Sequence, residues 1–148
     1  MSEIKTDKLT GTSTAGDITV TSEGGAATQS LQQGLAKSWV NFNNRNTFVV
    51  RDSLNTSSVT DGGTGNSTPN FLNSFSTANY VPMCSPVFEY NQARGVAGLG
   101  VSINGNETLM NMATNQIRLN HSYGSSAGSD GGAKDGEGNF ATFTGDLA

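Results

Sequence analysis

Charge is scarce in this chain, and what there is lies scattered. Only 14% of its 148 residues are Asp, Glu, Lys or Arg, against about a quarter in an average soluble domain. A disordered acidic tail would carry more charge and fewer aromatics, and the usual cytosolic enzyme also carries more. The eight basic residues are dispersed and the formal net charge is −4, so no phosphate-binding patch is expected and nucleic acid is not an expected partner. Cys84 is the only cysteine, which excludes an internal disulfide. Flanked by Met83 and near Pro86, it has no cationic setting to activate a thiol and reads as a small buried hydrophobe. No apolar run is long enough for a membrane-spanning helix. The opening Met1-Ser2-Glu3-Ile4-Lys5 lacks the apolar core of a signal peptide, so synthesis in a cytoplasm without secretory export is the expectation. No internal repeat of 20–50 residues is present.

What fills the chain instead is Gly, Ser, Thr and Asn with scattered β-branched residues, a composition that suits extended β structure in a virion or extracellular setting. The length fits one domain, or a small domain with an extension. Residues 3 to 22 read as two short strands about the turn Gly11–Gly16, with Gly24-Gly25 ending the second. Over 28–43, Leu31, Leu35 and Trp39 recur at i, i+4, i+8 and Ser30 with Gln33 has capping-box spacing, which predicts a short helix. Such a helix is marginal alone, and Gly34 costs it about another 1 kcal/mol, so its apolar stripe needs a cover. Strands are expected at Thr47–Arg51, Leu54–Thr60, Asn70–Phe75, Tyr80–Met83, Val87–Tyr90 and Asn139–Thr144. Leu99, Val101 and Ile103 alternate ahead of Asn104-Gly105, a type I′ hairpin signal with Thr108–Ala113 returning. Ile117, Leu119, His121 and Tyr123 alternate on one face. Pro69 cannot donate to a ladder, so its strand should lie at an edge or begin after it. The predicted organisation is a β extension (1–26), a short helical neck (27–43) and, over 44–148, an antiparallel β-sandwich or jelly-roll-like module bearing a long Gly/Ser/Asp loop at 124–138.

Three segments carry a resemblance. Glu3-Ile4-Lys5-Thr6-Asp7-Lys8-Leu9-Thr10-Gly11 with Gly16-Asp17-Ile18-Thr19-Val20-Thr21 is the first. Leu31-Gln32-Gln33-Gly34-Leu35-Ala36-Lys37-Ser38-Trp39-Val40-Asn41-Phe42-Asn43 follows, then Val50-Arg51-Asp52-Ser53-Leu54-Asn55 running into Ser57–Gly65. In this order they resemble fibre-like structural (tail fibre) proteins of tailed bacteriophages, particularly those of marine bacteria. The likeness covers roughly the first half of the chain, and Thr68-Pro69-Asn70 departs from it. It implies a homotrimeric virion protein, anchored to the particle at its N-terminal end and contributing to host attachment.

Candidate sites are few. His121, the only histidine, sits on an alternating strand with no triad signature nearby, so no catalytic residue is expected. Gly95-Val96-Ala97-Gly98-Leu99-Gly100 has its glycines in the wrong order for a nucleotide loop. Asp130, Asp135, Glu137 and Asn139 carry calcium-type oxygens without the spacing of a twelve-residue calcium loop. No metal or cofactor is therefore expected. Trp39, Phe42 and Phe48 read as core rather than as a sugar-stacking surface. The expected oligomer interface is Ile18, Val20, Leu31, Leu35 and Trp39, wound about a threefold axis that supplies the burial one chain lacks. The receptor-facing candidates, chosen by residue type, are Tyr123, Ser125, Ser126, Asp130 and Lys134 in the loop region. The reading is a non-enzymatic virion protein whose partners are itself, other virion proteins and a host-surface glycan or protein, with no membrane insertion. The alternative is a capsid-surface decoration, cement or head-fibre protein without receptor binding.

Overall fold

A computed structural model describes residues 3–14, 17–87, 95–98, 112–123 and 133–148 in two compact units, Met1–Leu35 and Ala36–Ala148. The chain is mainly β, its sheets are antiparallel, and no helix occurs among the described residues. The Asn104-Gly105 hairpin signal lies outside the described residues.

In the first unit the earliest described strand is β1 (Thr19–Thr21), which pairs with β2 (Thr28–Ser30) in the register Thr19 to Ser30. The turn between them is closed by Ser22 N–H on Ala27 O at 2.9 Å and Gly25 N–H on Ser22 O at 2.8 Å. Gly25 has a φ of 69°, which glycine adopts without a Cβ penalty. Gly24-Gly25 thus turns a hairpin rather than separating a strand from a helix. No described residue of this unit is buried.

The helical neck does not form. Its capping contact is present, since Ser30 Oγ accepts from Gln33 N–H at 3.5 Å, and Gly34 N–H reaches Ser30 O at 3.3 Å. These bonds close a single turn. Beyond it Lys37 N–H donates to Phe143 O at 2.9 Å, and Ser38–Asn43 becomes strand β3. A second sequence period explains the outcome. Ser38, Val40 and Phe42 alternate as buried residues with Trp39, Asn41 and Asn43 between them, and a ladder to a partner strand outweighs one marginal helical turn. Leu31 and Leu35 therefore share no helical stripe with Trp39.

The second unit contains two antiparallel sheets. One has the order β4 (Val49–Leu54), β3, β12 (Gly138–Thr144), β7 (Val81–Val87). β12 is central, pairing Ala141 with Val40 on one side and with Cys84 on the other. A bulge shifts the β3–β4 register at Asn41/Phe42. In the other sheet β6 (Asn66–Phe71) lies between β5 (Thr56–Asp61) and the pair β10 (Gln116–Ile117) and β11 (Leu119–Tyr123). β9 (Met112–Ala113) flanks β10 and β8 (Gly95–Gly98) flanks β11. Pro69 therefore stands inside a central strand, contrary to the edge expected from sequence. The ladder opposite it is interrupted: β10 pairs Gln116 with Asn70, and β11 resumes pairing at Leu119 with Ser67. A missing donor is tolerated at that gap.

The inward residues of both sheets form one core. Val40, Phe42, Ala141 and Phe143 come from the first sheet, Phe71, Ile117 and Leu119 from the second, and Phe75 and Tyr80 from the β6–β7 connection. Phe71 meets Phe143 edge-on at 5.1 Å, and Phe75 stacks on Tyr80 at 4.3 Å. The Tyr80 hydroxyl donates to the Ala113 and Gln116 carbonyls, both at 3.1 Å. The core assignment of the N-terminal aromatics holds for Phe42 and for Phe48, which stacks on it at 5.9 Å, but Trp39 faces outward. Cys84 packs against this core and burial raises its thiol pKa, matching the inert reading.

The chain passes from one sheet to the other at Asn55, whose φ is 52°. Its side chain is tied to Asn73 there: Oδ1 accepts Asn73 N–H at 2.7 Å and Nδ2 donates to Asn73 O at 3.1 Å. Asn55→Ala forfeits these bonds and puts at φ 52° a residue that tolerates the left-handed region less well than asparagine, an expected cost of about 2–4 kcal/mol in chemical denaturation. Asn55→Gly removes only the bonds and should cost about half as much. The opposite ranking would show that the conformation is not under strain.

Candidate functional site

The most chemically loaded place in the second unit is a buried polar cluster at one end of the core. His121 falls on the inward face of β11 because it continues the alternation of Ile117 and Leu119, both closed to solvent. Ser67 falls on the inward face of β6 for the same reason. Their strands are neighbours, and Ser67 Oγ lies 2.8 Å from His121 Nε2. Asp135 is close enough for its charge to act on the imidazole. The residue types are those of a hydrolytic triad, assembled from positions remote in sequence.

The geometry differs from a triad in two respects. Asp135 Oδ1 accepts Gly65 N–H at 2.7 Å and Asn44 Nδ2 at 3.1 Å, while His121 Nδ1 has no hydrogen-bond partner among the described residues. The carboxylate therefore does not orient the ring as a triad requires. Ser67 and His121 are 0% and 2% exposed, so the hydroxyl has no open face for a substrate. What the arrangement does is lock loops to strands. Lys134 N–H donates to His121 O at 3.1 Å and His121 N–H to Gly65 O at 2.7 Å. Asn44 Oδ1 takes Gly136 N–H and Asn139 Nδ2, each at 2.8 Å. Gly65 is required at this junction. Its φ is 71°, and a Cβ there would lie 2.6 Å from His121 O and 2.7 Å from Ala133 Cβ.

The calcium-type residues divide by role. Asp135 serves Gly65 and Asn44, Glu137 Oε1 takes Arg45 Nη1 at 2.8 Å, and Asn139 is buried with Nδ2 donating to Asn44 and Gly136. Asp130 lies outside the described residues. No group of three His, Cys, Asp or Glu able to hold a metal occurs among the described residues.

Of the receptor-facing candidates, Ser125, Ser126 and Asp130 lie outside the described residues. Tyr123 ends β11, with its backbone paired to Gly95. Lys134 is half-buried and tied to His121 through its amide. Of the interface candidates, Val20, Leu31 and Leu35 line one shallow groove of about 160 Å³ within the first unit, together with Gln29, Ser30 and Gly34. Ile18 is half-buried, its carbonyl taking Leu31 N–H at 2.7 Å. Trp39 belongs to the second unit.

Sequence reasoning put His121 on one face with Ile117 and Leu119, leaving open whether it was packed or at the surface, and missed Ser67 and Asp135 as its neighbours. The alternation marked which residues point inward; only strand pairing says which inward residues meet.

Burial lowers the His121 pKa from 6.5 to about 4, partly opposed by the Asp135 charge. Folded chains thus bind this proton less readily than unfolded ones. Its contribution to stability is full above about pH 6.5, declines as pH falls, and levels off near pH 4 after a loss of about 3 kcal/mol. Urea titrations from pH 7.5 to 5 should show this slope, and His121→Asn should flatten it. An equal slope in the variant would assign the effect to other groups.

Comparison with protein-family models, with curated proteins and with solved structures finds no match for this chain.

Proposed function

We propose that this chain is a non-enzymatic structural protein of a tailed-phage virion, a homotrimeric, tail-fibre-like component that contributes to host attachment. The observation that carries this reading is the contrast between the two units. Among the described residues Met1–Leu35 has none that is buried, while Ala36–Ala148 has a core of nine apolar ones. Two three-residue strands do not hold together alone in water. An N-terminal segment without a core suits an anchor that gains its burial from neighbouring copies and from other virion proteins. The second unit, read as a β-sandwich or jelly-roll-like module, would face outward with its loops towards a host glycan or protein. The resemblance of the N-terminal segments to tail fibre proteins supports the same assignment. Many weak copies on one particle would then bind through avidity.

Light scattering after size exclusion tests this directly. The expected mass is that of three chains of 15.3 kDa, and Leu35→Asp, at an exposed apolar position lining the groove, should dissociate the assembly to monomers. A well-folded monomer at all concentrations would sink the trimeric fibre and leave a β domain that binds a capsid or tail as single copies.

A further inference from the structure

The outward face of the β4–β3–β12–β7 sheet is unlike an ordinary solvated face. Residues opposite one another in a ladder project to the same side, and the registers place Leu54, Trp39, Thr142 and Met83 in one row across all four strands. The adjacent row is Asp52, Asn41, Phe140 and Ser85, and Val81 lies opposite Thr144 beside them. The exposures are 48% for Leu54, 56% for Met83, 45% for Phe140 and 58% for Val81. Soluble monomers seldom leave aromatic, Met and aliphatic side chains contiguous on one face, and Trp, Phe and Met with few charges is the composition of an interface centre.

We propose that this face is buried against a second copy of the same chain, an inference that rests on the reading that copies assemble. Charge selects this occupant. Two chains of net −4 repel overall, so they meet at least cost through a surface without charge of one sign. The two rows hold a single charged residue, Asp52. Past the bulge, Arg51 donates to Asn41 Oδ1 and to the Glu137 carbonyl, and Arg45 pairs with Glu137. Among the described residues this border therefore has two charges of each sign, Arg45 and Arg51 against Asp52 and Glu137. A partner recognised by opposite charge would need an excess of one sign that the described residues of this face do not carry.

At the β7 edge the sequence favours contact by face over strand addition. Pro82 and Pro86 stand on the edge strand β7; neither carries an amide hydrogen, which discourages strand addition there. Area sets the strength. Four strands about 4.8 Å apart and about six residues long cover roughly 400 Å², about half of what each partner of a standard interface buries. The remainder has to come from elsewhere on the chain. Ile4, Leu9, Val20 and Leu35 of the coreless first unit are exposed apolar residues of the required kind.

Trp39 is the only tryptophan, so its fluorescence reports on this face alone. The full-length chain should be followed by sedimentation equilibrium and by acrylamide quenching of Trp39 across about a hundredfold dilution. Quenching should rise several-fold as the assembly dissociates. Met83→Glu on β7 and Leu54→Lys on β4 alter opposite borders of the face at exposed positions. Each should move the association midpoint at least about tenfold higher in concentration while retaining the wild-type circular dichroism. If both variants assemble with the wild-type midpoint, and Trp39 quenching does not change on dilution, this face is not the interface; Leu35→Asp would still break an assembly held by the first unit. A wild-type chain that stays monomeric throughout overturns the inference together with the assembly it rests on.

Discussion

The contact between Phe71 and Phe143 joins the two sheets of the second unit. Phe143 projects from β12 and Phe71 ends β6, each an interior strand of its sheet with a partner on both sides. Phe75 and Tyr80 close around them, and the Tyr80 hydroxyl reaches across to β9 and β10. Aromatic pairs of this kind contribute about 0.5–1.5 kcal/mol beyond the area they bury. Much else follows from this packing. β12 can hold β3 in register only while Phe143 and Ala141 remain inward, and it is that register which draws Ser38–Asn43 into a strand.

The buried polar cluster works at the other end of the same core. Ser67, His121, Asn44, Asn139 and Asp135 bond to one another or to loop backbone, which ties residues 133–136 to the strands. Buried polar groups of this sort are tolerated when they are paired and are costly when they are not. The Ser–His pair is thus explained as part of the scaffold. Function is better sought on the surfaces that remain open: the coreless first unit, the apolar outer face of one sheet, and the loops.

Parts of this architecture were legible before any coordinates. The alternation of Ile117, Leu119 and His121 announced an inward face, and Asn139–Thr144 announced a strand. Cys84 read as a small buried hydrophobe and is partly buried against the core. The neck was not legible, because residues 31–43 carry two periods at once. Leu31, Leu35 and Trp39 match a helix; Ser38, Val40 and Phe42 match a strand. Local energetics alone leave the two close, since a helix of this length with Gly34 inside it is marginal. Pro69 was misplaced for a related reason. Its rule concerns a missing donor, and whether a donor is needed depends on a gap in the neighbouring strand.

The sequence by itself therefore determined the class of structure: β-rich, without an internal disulfide, and with one segment too poor in apolar residues to hold together alone. Those properties follow from composition and from the period of side chains along a single strand, and both are local. Tertiary structure decided the rest. It turned Trp39 outward beside Leu54, in one row with Met83, brought Ser67 to His121 across the β6–β11 pairing, and set Pro69 in a central strand. Each of these depends on which strands lie side by side. Pairing is settled by the burial of a whole face at once, an energy that belongs to no single segment of the chain.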